Sequence, residues 1–360
     1  MADTTAATGL TAQQWDDKFF IEYLQENRFS RFMGRDENAV IHIKENLTKK
    51  KGDSITFALV NKLSNAAVTG ASALEGNEEA MVSRSHKITV DKRRNGVRVA
   101  EIEEQQSSIE LRDAARATLK DWAMEDTRDL VISSLGAING VAYGSASEGN
   151  KDAWLVDNAD RALFGAVKSN NAANDHSAAL LTIDNTADKL TSSALSLMKR
   201  MALQSAPKIR PITVSGGKRF FVAFAGNRTF RDLKTDTALT QAQREVVLRM
   251  QNVKLFEGGD LEWDGIIVHE IDDIPVLSGV GAGGIDVSPV YLCGAQSLGL
   301  AWAKRWRSVT EKFDYGDKHG VAMEAIYDVD KLTFGSGAGD TDDLKDHGIV
   351  TGYFAAVDDS

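Results

Sequence analysis

The chain has a single cysteine, Cys293, among its 360 residues. That excludes an intrachain disulfide and fits a reducing compartment, here the cytoplasm. No uninterrupted apolar run reaches the ~18–20 residues that a membrane helix needs. The opening stretch, MADTTAATGLTAQQWDD, has neither the basic region nor the apolar core of a signal peptide. Excess positive charge is missing too: the formal net charge is −10. A protein that grips DNA by neutralising phosphates is normally basic, so nucleic-acid binding is not the expected main role, although weak contact with DNA remains compatible. At 42% hydrophobic residues and this length, the composition is that of an ordinary globular protein of two or three modules.

Aromatics are absent where a fold would need them. Between Phe57 and Trp122 there is no aromatic residue and no proline. Three runs there, SITFALV, HKITV and GVRVAEI, alternate with period two and are predicted to be strands. The connection between the first two, NKLSNAAVTGASALEGNEEAMV over 61–82, is rich in Ala, Gly, Ser and Thr and carries Glu75, Glu78 and Glu79. So long a connection with so few core-forming side chains is unusual inside a compact domain. Two readings stay open: a β-meander on the edge of a larger sheet, or a projecting two-stranded arm. Asp53 to Leu63 would reach about 35 Å at ~3.3 Å per residue. The missing core favours the arm, because an isolated hairpin is marginal in water and unpaired edges find partners.

What the chain does have begins at 15–32, where WDDKFFIEYLQENRFSRF holds six of its 26 aromatic residues. Trp15, Phe19 and Tyr23 recur every four positions, as do Phe20 and Leu24, which predicts a short helix with a wide apolar face. Such a segment packs on its own body or on a neighbour. A long helix is predicted over 107–135, opened by a capping pattern of Ser107 and Glu110 and uninterrupted by Gly or Pro until Gly136. Its apolar positions, Leu111, Ala115, Leu119, Trp122 and Leu130, lie between charges. Residues 140–180 read as loops around the short segment ADRALFGA. A helix follows at DKLTSSALSLMKRMALQS, then a hairpin over IRPITVSGGKRFFVAF. NRTFRDLKTD and TQAQREVVLRM are predicted helices, the second opening at Thr240. LEWDGIIVHEIDDIPVL, HGVAMEAIYDVDKLTF and GIVTGYFAAV are predicted strands. The mixed order gives an α+β class.

Chemistry is scarce. SGVGAGG at 278–284 is as glycine-dense as a phosphate loop, but IDVSPVYL follows where a dinucleotide fingerprint needs a helix. The six histidines include no pair at i, i+3 or i+4. His269, Ile271 and Asp273 share one side of a strand and are not a metal set. GAGDTDD lacks the ligand order of an EF-hand and reads as a solvated loop. Cys293, among small apolar residues, reads as a buried inert thiol. No cofactor is implied. The basic cluster Lys92, Arg93, Arg94 and Arg98 lies near the acidic LEGNEEA, either as two solvated faces or as an arm whose two signs pair with an adjacent copy.

The order of these parts, with phrases such as ENLTKKKGDSITFALVNKLSNAAVTGASALEGNEEA, ADRALFGAVKSNNAANDHSA, WDGIIVHEI and SGVGAGGIDVSPVYLCGAQSLGLAWA, resembles the tailed-bacteriophage major capsid proteins of the phage N-four type. The likeness runs from about residue 10 to the C-terminus. It implies the Hong-Kong-97-type fold: an N-terminal arm at 1–48 and an extended E-loop at 49–100. A P-domain first part at 101–186 would carry the spine helix 107–135, a mainly A-domain stretch 187–300, and a return to the P-domain at 301–360. It also implies a non-enzymatic shell subunit, assembling in the bacterial host cytoplasm as hexamers and pentamers of an icosahedral head around double-stranded DNA. Its partners would be itself, a scaffolding protein, a portal and decoration proteins, with packaged DNA touched only weakly and no membrane. The E-loop would lie across a neighbouring subunit, which supplies the core it lacks. Candidate inter-subunit contacts are Lys62, Glu75, Glu78, Glu79, Arg84, Lys92, Arg93, Arg94 and the aromatics Trp15, Phe19, Phe20 and Tyr23. The glycine-rich 278–284 would fall in the A-domain near the capsomer centre. The alternatives are an encapsulin-type compartment shell and, with less support, an oligomeric enzyme.

Overall fold

A computed structural model describes residues 29–45, 52–63, 65–70, 72–107, 110–213, 217–249, 256–257 and 260–359. Trp15, Phe19, Phe20 and Tyr23, with the helix expected there, lie outside the described residues.

After a parallel pair, β1 (Met33–Gly34) and β2 (Ile41–Lys44), comes an antiparallel hairpin of β3 (Ser54–Val60) and β4 (Ser83–Thr89). Strand β5 (Asp91–Ala100) leads through the short helix α1 (Glu101–Gln106) into α2 (Leu111–Leu135). Next come α3 (Glu148–Asp157), β6 (Ala162–Phe164), α4 (His176–Leu181) and α5 (Ser192–Gln204). They are followed by β7 (Ile212–Thr213), β8 (Arg219–Ala225), α6 (Asn227–Lys234) and α7 (Thr237–Arg249). Short strands β9 (Phe256–Glu257), β10 (Asp260–Trp263) and β11 (Ile266–Glu270) precede β12 (Val287–Cys293). The chain ends in the long β13 (Leu298–Phe313) and β14 (Lys318–Lys331), then β15 (Thr333–Phe334), β16 (Lys345–Asp346) and β17 (Ile349–Ala355).

Helix α2 is 25 residues, about 37 Å at 1.5 Å per residue. Its buried stripe is Ala115, Leu119, Ala123, Thr127, Val131 and Leu135, one residue per turn at i, i+4. Leu111, Trp122 and Leu130 flank that stripe half-buried. The start differs from expectation. The carbonyl of Glu110 accepts the first helical bond, from Ala114 N–H at 3.0 Å, whereas Ser107 closes α1 through its N–H to Glu103. An extended ψ of 141° at Ser107 breaks the path between the two helices.

The chain divides into two compact units. In the first, made of 91–107, 110–127 and 304–327 among the described residues, β5 pairs with β14 in antiparallel register from Lys318 opposite Ala100 to Tyr327 opposite Asp91. Trp306 sits edge-on to both Trp122 and Tyr327, each at 5.6 Å between ring centroids. The Tyr327 hydroxyl donates to Asp126 at 2.8 Å.

The second unit is built on a sheet of order β6-β17-β12-β8-β11-β10-β9, with β7 paired to β8. Alternation along β12 and β17 splits its two faces. Val290, Leu292, Val350 and Phe354 point to the side where α5 brings Leu195, Met198 and Met201. Tyr353 and Ala355 point to the other side, with Trp154 and Leu155 of α3 and Leu180 of α4. Phe29 and Phe32 lie against Phe224 at 5.0 and 5.3 Å, so the last two aromatics of the N-terminal stretch pack on the body of the chain.

Three expectations change here. Residues 140–180 are not all loop: Ser147 caps α3 by accepting from Asn150 N–H, and Asp175 caps α4 by accepting from Ala178 N–H. LEWDGIIVHEI is two strands, because Asp264 and Gly265 take positive φ (48° and 71°) and turn β10 back onto β11. Helix α7 begins at Thr237, ahead of Thr240, with Asp236 accepting from Ala238 N–H at 3.0 Å. The hairpin over 212–225, the helices over 192–204 and 227–234 and the last strand follow the sequence reading.

Candidate assembly surface

The two-stranded arm is real and has a firm root. β3 and β4 form a sheet of their own, in register from Ser54 opposite Thr89 to Val60 opposite Ser83. The third predicted strand, β5, belongs to the other ladder with β14. On the inner face of the hairpin, Ile55, Phe57 and Ile88 pack with Ala301 of β13 and Leu332. Gly299 makes this possible. A Cβ there would lie 2.8 Å from Ile88, 2.9 Å from Leu332 and 3.0 Å from Phe57, so any side chain would wedge the root apart.

Polar contacts fix one strand of the root to the end of β14 and the segment after it. His86 Nε2 lies 3.1 Å from Asp330 Oδ2, and its Nδ1 lies 3.1 Å from the carbonyl of Thr333. Arg84 donates to the carbonyl of Gly337 at 3.1 Å, and Ser85 N–H to Asp340 Oδ2 at 2.8 Å. Residues 335–343 are therefore more than the solvated loop expected from GAGDTDD: Asp340 accepts from both the N–H and the hydroxyl of Ser85. On β3, Lys44 Nζ donates to the carbonyl of Thr56 at 3.1 Å and sits 4.4 Å above the ring of Phe57. Burial lowers the pKa of that lysine.

Beyond the root, the described residues of 61–82 form no strand. They leave large apolar side chains in solvent: Leu63 57%, Leu74 63% and Met81 72% exposed, with Val60, Val68 and Val82 also exposed. Burial of these groups elsewhere is the physical demand that the tip makes. The acidic residues shape it. Glu79 Oε2 accepts from Asn65 N–H at 2.8 Å, and Glu78 Oε2 from Gly76 N–H at 2.7 Å. Glu75 and Lys62 are exposed. The basic residues Lys92, Arg93, Arg94 and Arg98 sit on β5, which pairs with β14. Lys92 pairs with Glu324 at 3.0 Å, and Arg93 pairs with Asp126 and lies 5.9 Å over Tyr327. Lys304 at 3.0 Å and Arg307 also converge on Glu324. Hydrogen bonds from Lys92, Lys304 and Arg307 hold its carboxyl well down, at about 2. Arg94 is exposed, and Arg98 lies 4.5 Å over Phe313. The structure thus joins Glu78, Glu79 and Arg84 to the arm, whereas Lys92 and Arg93 have carboxylate partners within their own chain.

Sequence reasoning missed the anchors Asp330, Thr333, Gly337 and Asp340. Only the alternation in SRSHKIT, which puts Arg84 and His86 on the same face of β4 as Ile88, hinted that this face has polar groups to meet.

A cavity of about 430 Å³ is lined by Ile132, Tyr143, Leu277, Pro289, Tyr291 and Tyr353. Burial raises the pKa of all three phenols, which keeps them protonated. Burial likewise pushes the Cys293 thiol up to about 12, an inert state as expected. The 278–284 stretch leads into β12, not into a helix.

The phage capsid protein family matches residues 3–357. The chain belongs to that family. It is 28% identical to the major capsid protein of Pseudomonas phage KPP25, over 95% of this chain and 94% of that protein. The solved capsid of cyanophage Pam1 is 34% identical and superposes with a TM-score of 0.88 over all of both chains. That of Ralstonia phage GP4, 22% identical over all of both chains, gives 0.77 and supports the fold alone. An encapsulin of Synechococcus elongatus is more distant, at 10% identity and a TM-score of 0.50, so the compartment-shell alternative has no advantage. The fold is the Hong-Kong-97-type α+β capsid fold, and the chain is a phage major capsid protein, a self-assembling component of the virion.

Proposed function

We propose that this capsid protein forms hexamers and pentamers of an icosahedral head around double-stranded DNA, and that residues 61–82 lie on a neighbouring subunit of the same capsomer. The observation that carries this reading is a tip that exposes Leu63, Leu74 and Met81 at the end of a root whose Phe57 and Ile88 pack on Ala301 and Leu332. Burying one such side chain is worth roughly 1.5–3 kcal/mol, and the only abundant partner in a shell is another copy. The aromatic residues Trp15, Phe19, Phe20 and Tyr23 extend the contact set, with Lys62, Glu75, Glu78, Glu79, Arg84, Lys92, Arg93 and Arg94. Lys92 and Arg93 join it through the ladder edge of β5. The domain division runs as the family implies: an N-terminal arm to 48, an E-loop from 49 to 100, and P- and A-domain segments thereafter. Assembly in the host cytoplasm would use a scaffolding protein and a portal, and decoration proteins would be added outside. A net charge of −10 keeps contact with packaged DNA weak. The subunit carries no catalysis of its own.

The test is a Leu74→Asp/Met81→Asp variant expressed with the remaining head genes and followed by electron microscopy and light scattering. Loss of shells with an unchanged melting midpoint is the expected result. Shells of normal yield and size would overturn the role given to the tip.

A further inference from the structure

We infer that the acidic turn from Leu74 to Glu79 docks on the open face of the β5–β14 ladder of a second copy, with Leu74 in a hollow of that face and Glu75 against Arg94 and Arg98. The inference rests on the reading that residues 61–82 lie on a neighbouring subunit, and it assigns the surface that they meet. The turn is preorganised. Asn77 N–H donates to the carbonyl of Leu74 at 2.9 Å, and Asn77 Nδ2 donates to that of Ala73 at 2.9 Å. Gly76, at a φ of 86°, gives its N–H to Glu78 at 2.7 Å. These bonds shape the turn without a core, which lowers the ordering cost of docking. They leave Leu74 63% exposed, with Glu75, Glu78 and Glu79 following it closely in the chain.

Strand alternation defines the receiving face. Arg93 of β5 reaches Asp126 of α2, so Lys92, Arg94, Gly96 and Arg98 point away from that helix. Across the ladder, Arg94, Gly96 and Arg98 lie opposite Glu324, Ala322 and Gly320. A hollow of about 250 Å³ is lined there by Gly96, Arg98, Val309, Phe313, Gly320 and Ala322. A void of ~150 Å³ holds a benzene-sized group, so a leucine side chain has room. Neither Gly96 nor Gly320 takes a positive φ, so the backbone conformation does not call for glycine. The Phe313 ring covers Gly320, where a Cβ would lie 2.7 Å from it. Gly96 is exposed, and a glycine inside a strand is one mark of close approach by another backbone. Charge selects the occupant. Lys92, Lys304 and Arg307 share Glu324. Arg94 and Arg98 are exposed and have no carboxylate partner among the described residues. These cations outnumber the carboxylates of the face, Glu311 and Glu324, so an apolar hollow with a cationic rim faces an apolar residue accompanied by carboxylates.

Co-expression of a Leu74→Cys chain and a Val309→Cys chain with the remaining head genes tests the contact in assembled shells. The native Cys293 is buried and stays out of the reaction. Mild oxidation should give a disulfide-linked dimer that requires both variants. Glu75→Arg should lower shell yield about tenfold or more, because like charges then meet. Arg94→Glu/Arg98→Glu should do the same alone and restore the yield when combined with Glu75→Arg. A missing dimer, or yields that ignore these charges, would overturn the assigned surface even where Leu74→Asp/Met81→Asp abolishes shells and so keeps the tip on a neighbour. Normal shells from Leu74→Asp/Met81→Asp would instead remove the reading beneath it.

Discussion

Phe57→Ala should detach the root of the arm without unfolding the unit that carries it. The ring is 3% exposed, packs with Ile55, Ile88 and Leu332, and lies under the Lys44 ammonium at 4.4 Å. Truncating a buried phenylalanine costs about 3–5 kcal/mol, and the lost cation–π contact is worth about 0.5–1 kcal/mol. The hairpin is a separate two-stranded sheet and marginal alone, so this loss falls on local opening of the arm. At 1.4 kcal/mol per factor of ten, opening should become at least about a hundredfold more frequent. Native-state hydrogen exchange reads it at two amides, Asn61 bonded to Val82 O and Val90 bonded to Asp53 O, both at 2.9 Å. Both should lose about two orders of magnitude of protection, while the β12–β17 ladder keeps its own. Gly299→Ala should do the same from the opposite side, through the 2.8–3.0 Å approaches that its methyl would make. Equal loss across β12 and β17, or unchanged protection at Asn61 and Val90, would refute a root that opens independently.

Asp188 is 4% exposed and accepts from Ala166 N–H at 2.8 Å, Asp184 N–H at 3.1 Å and Asn170 Nδ2 at 3.3 Å. Asp188→Ala strands those donors and should cost about 2–4 kcal/mol, seen as a lower urea midpoint; an unchanged midpoint would contradict the assignment. His347 has its pKa lowered to about 4 by burial, with Arg161 and Arg210 adding repulsion. The unfolded chain therefore binds its proton first, and stability is complete above about 6.5, falling as pH drops from there to 4. His347→Phe, with its ring still against Phe334 at 5.2 Å, should flatten that fall in urea titrations at pH 7.5 and 4.5; parallel losses in both proteins would rule the histidine out.

The arm was legible because period-two alternation places Ile55 and Phe57 on one face and Ser54, Thr56 and Ala58 on the other, and because the following segment has nothing to form a core. Helix α2 was legible from its length and charge pattern. Its exact start was not, since Ser107 can cap one helix or close another and only the backbone path decides. Helix α3 was hidden by Gly149, Asn150 and Lys151; its burial rests on Trp154 and Leu155 alone. The anchors of the arm could not be read at all, because Asp330, Gly337 and Asp340 meet β4 only after the intervening chain has folded. Lys92 and Arg93 show the same limit: a basic run looks available for a partner until β14 brings Glu324, and α2 brings Asp126, alongside it.

The crowding around Gly299 has a mechanical consequence. A beam clamped at one end bends along its free span and not at the clamp. With the root filled to van der Waals contact and His86, Arg84 and Ser85 bolted to the end of β14 and the segment after it, little slack is left before Val60 and Ser83. In the head proposed above, subunits that meet at different angles around five-fold and six-fold axes must take up the difference somewhere. On that reading the compliant stretch starts beyond the last backbone bond of the hairpin, Asn61 to Val82, so the tip would set the angular tolerance of the shell and the root the placement of the arm.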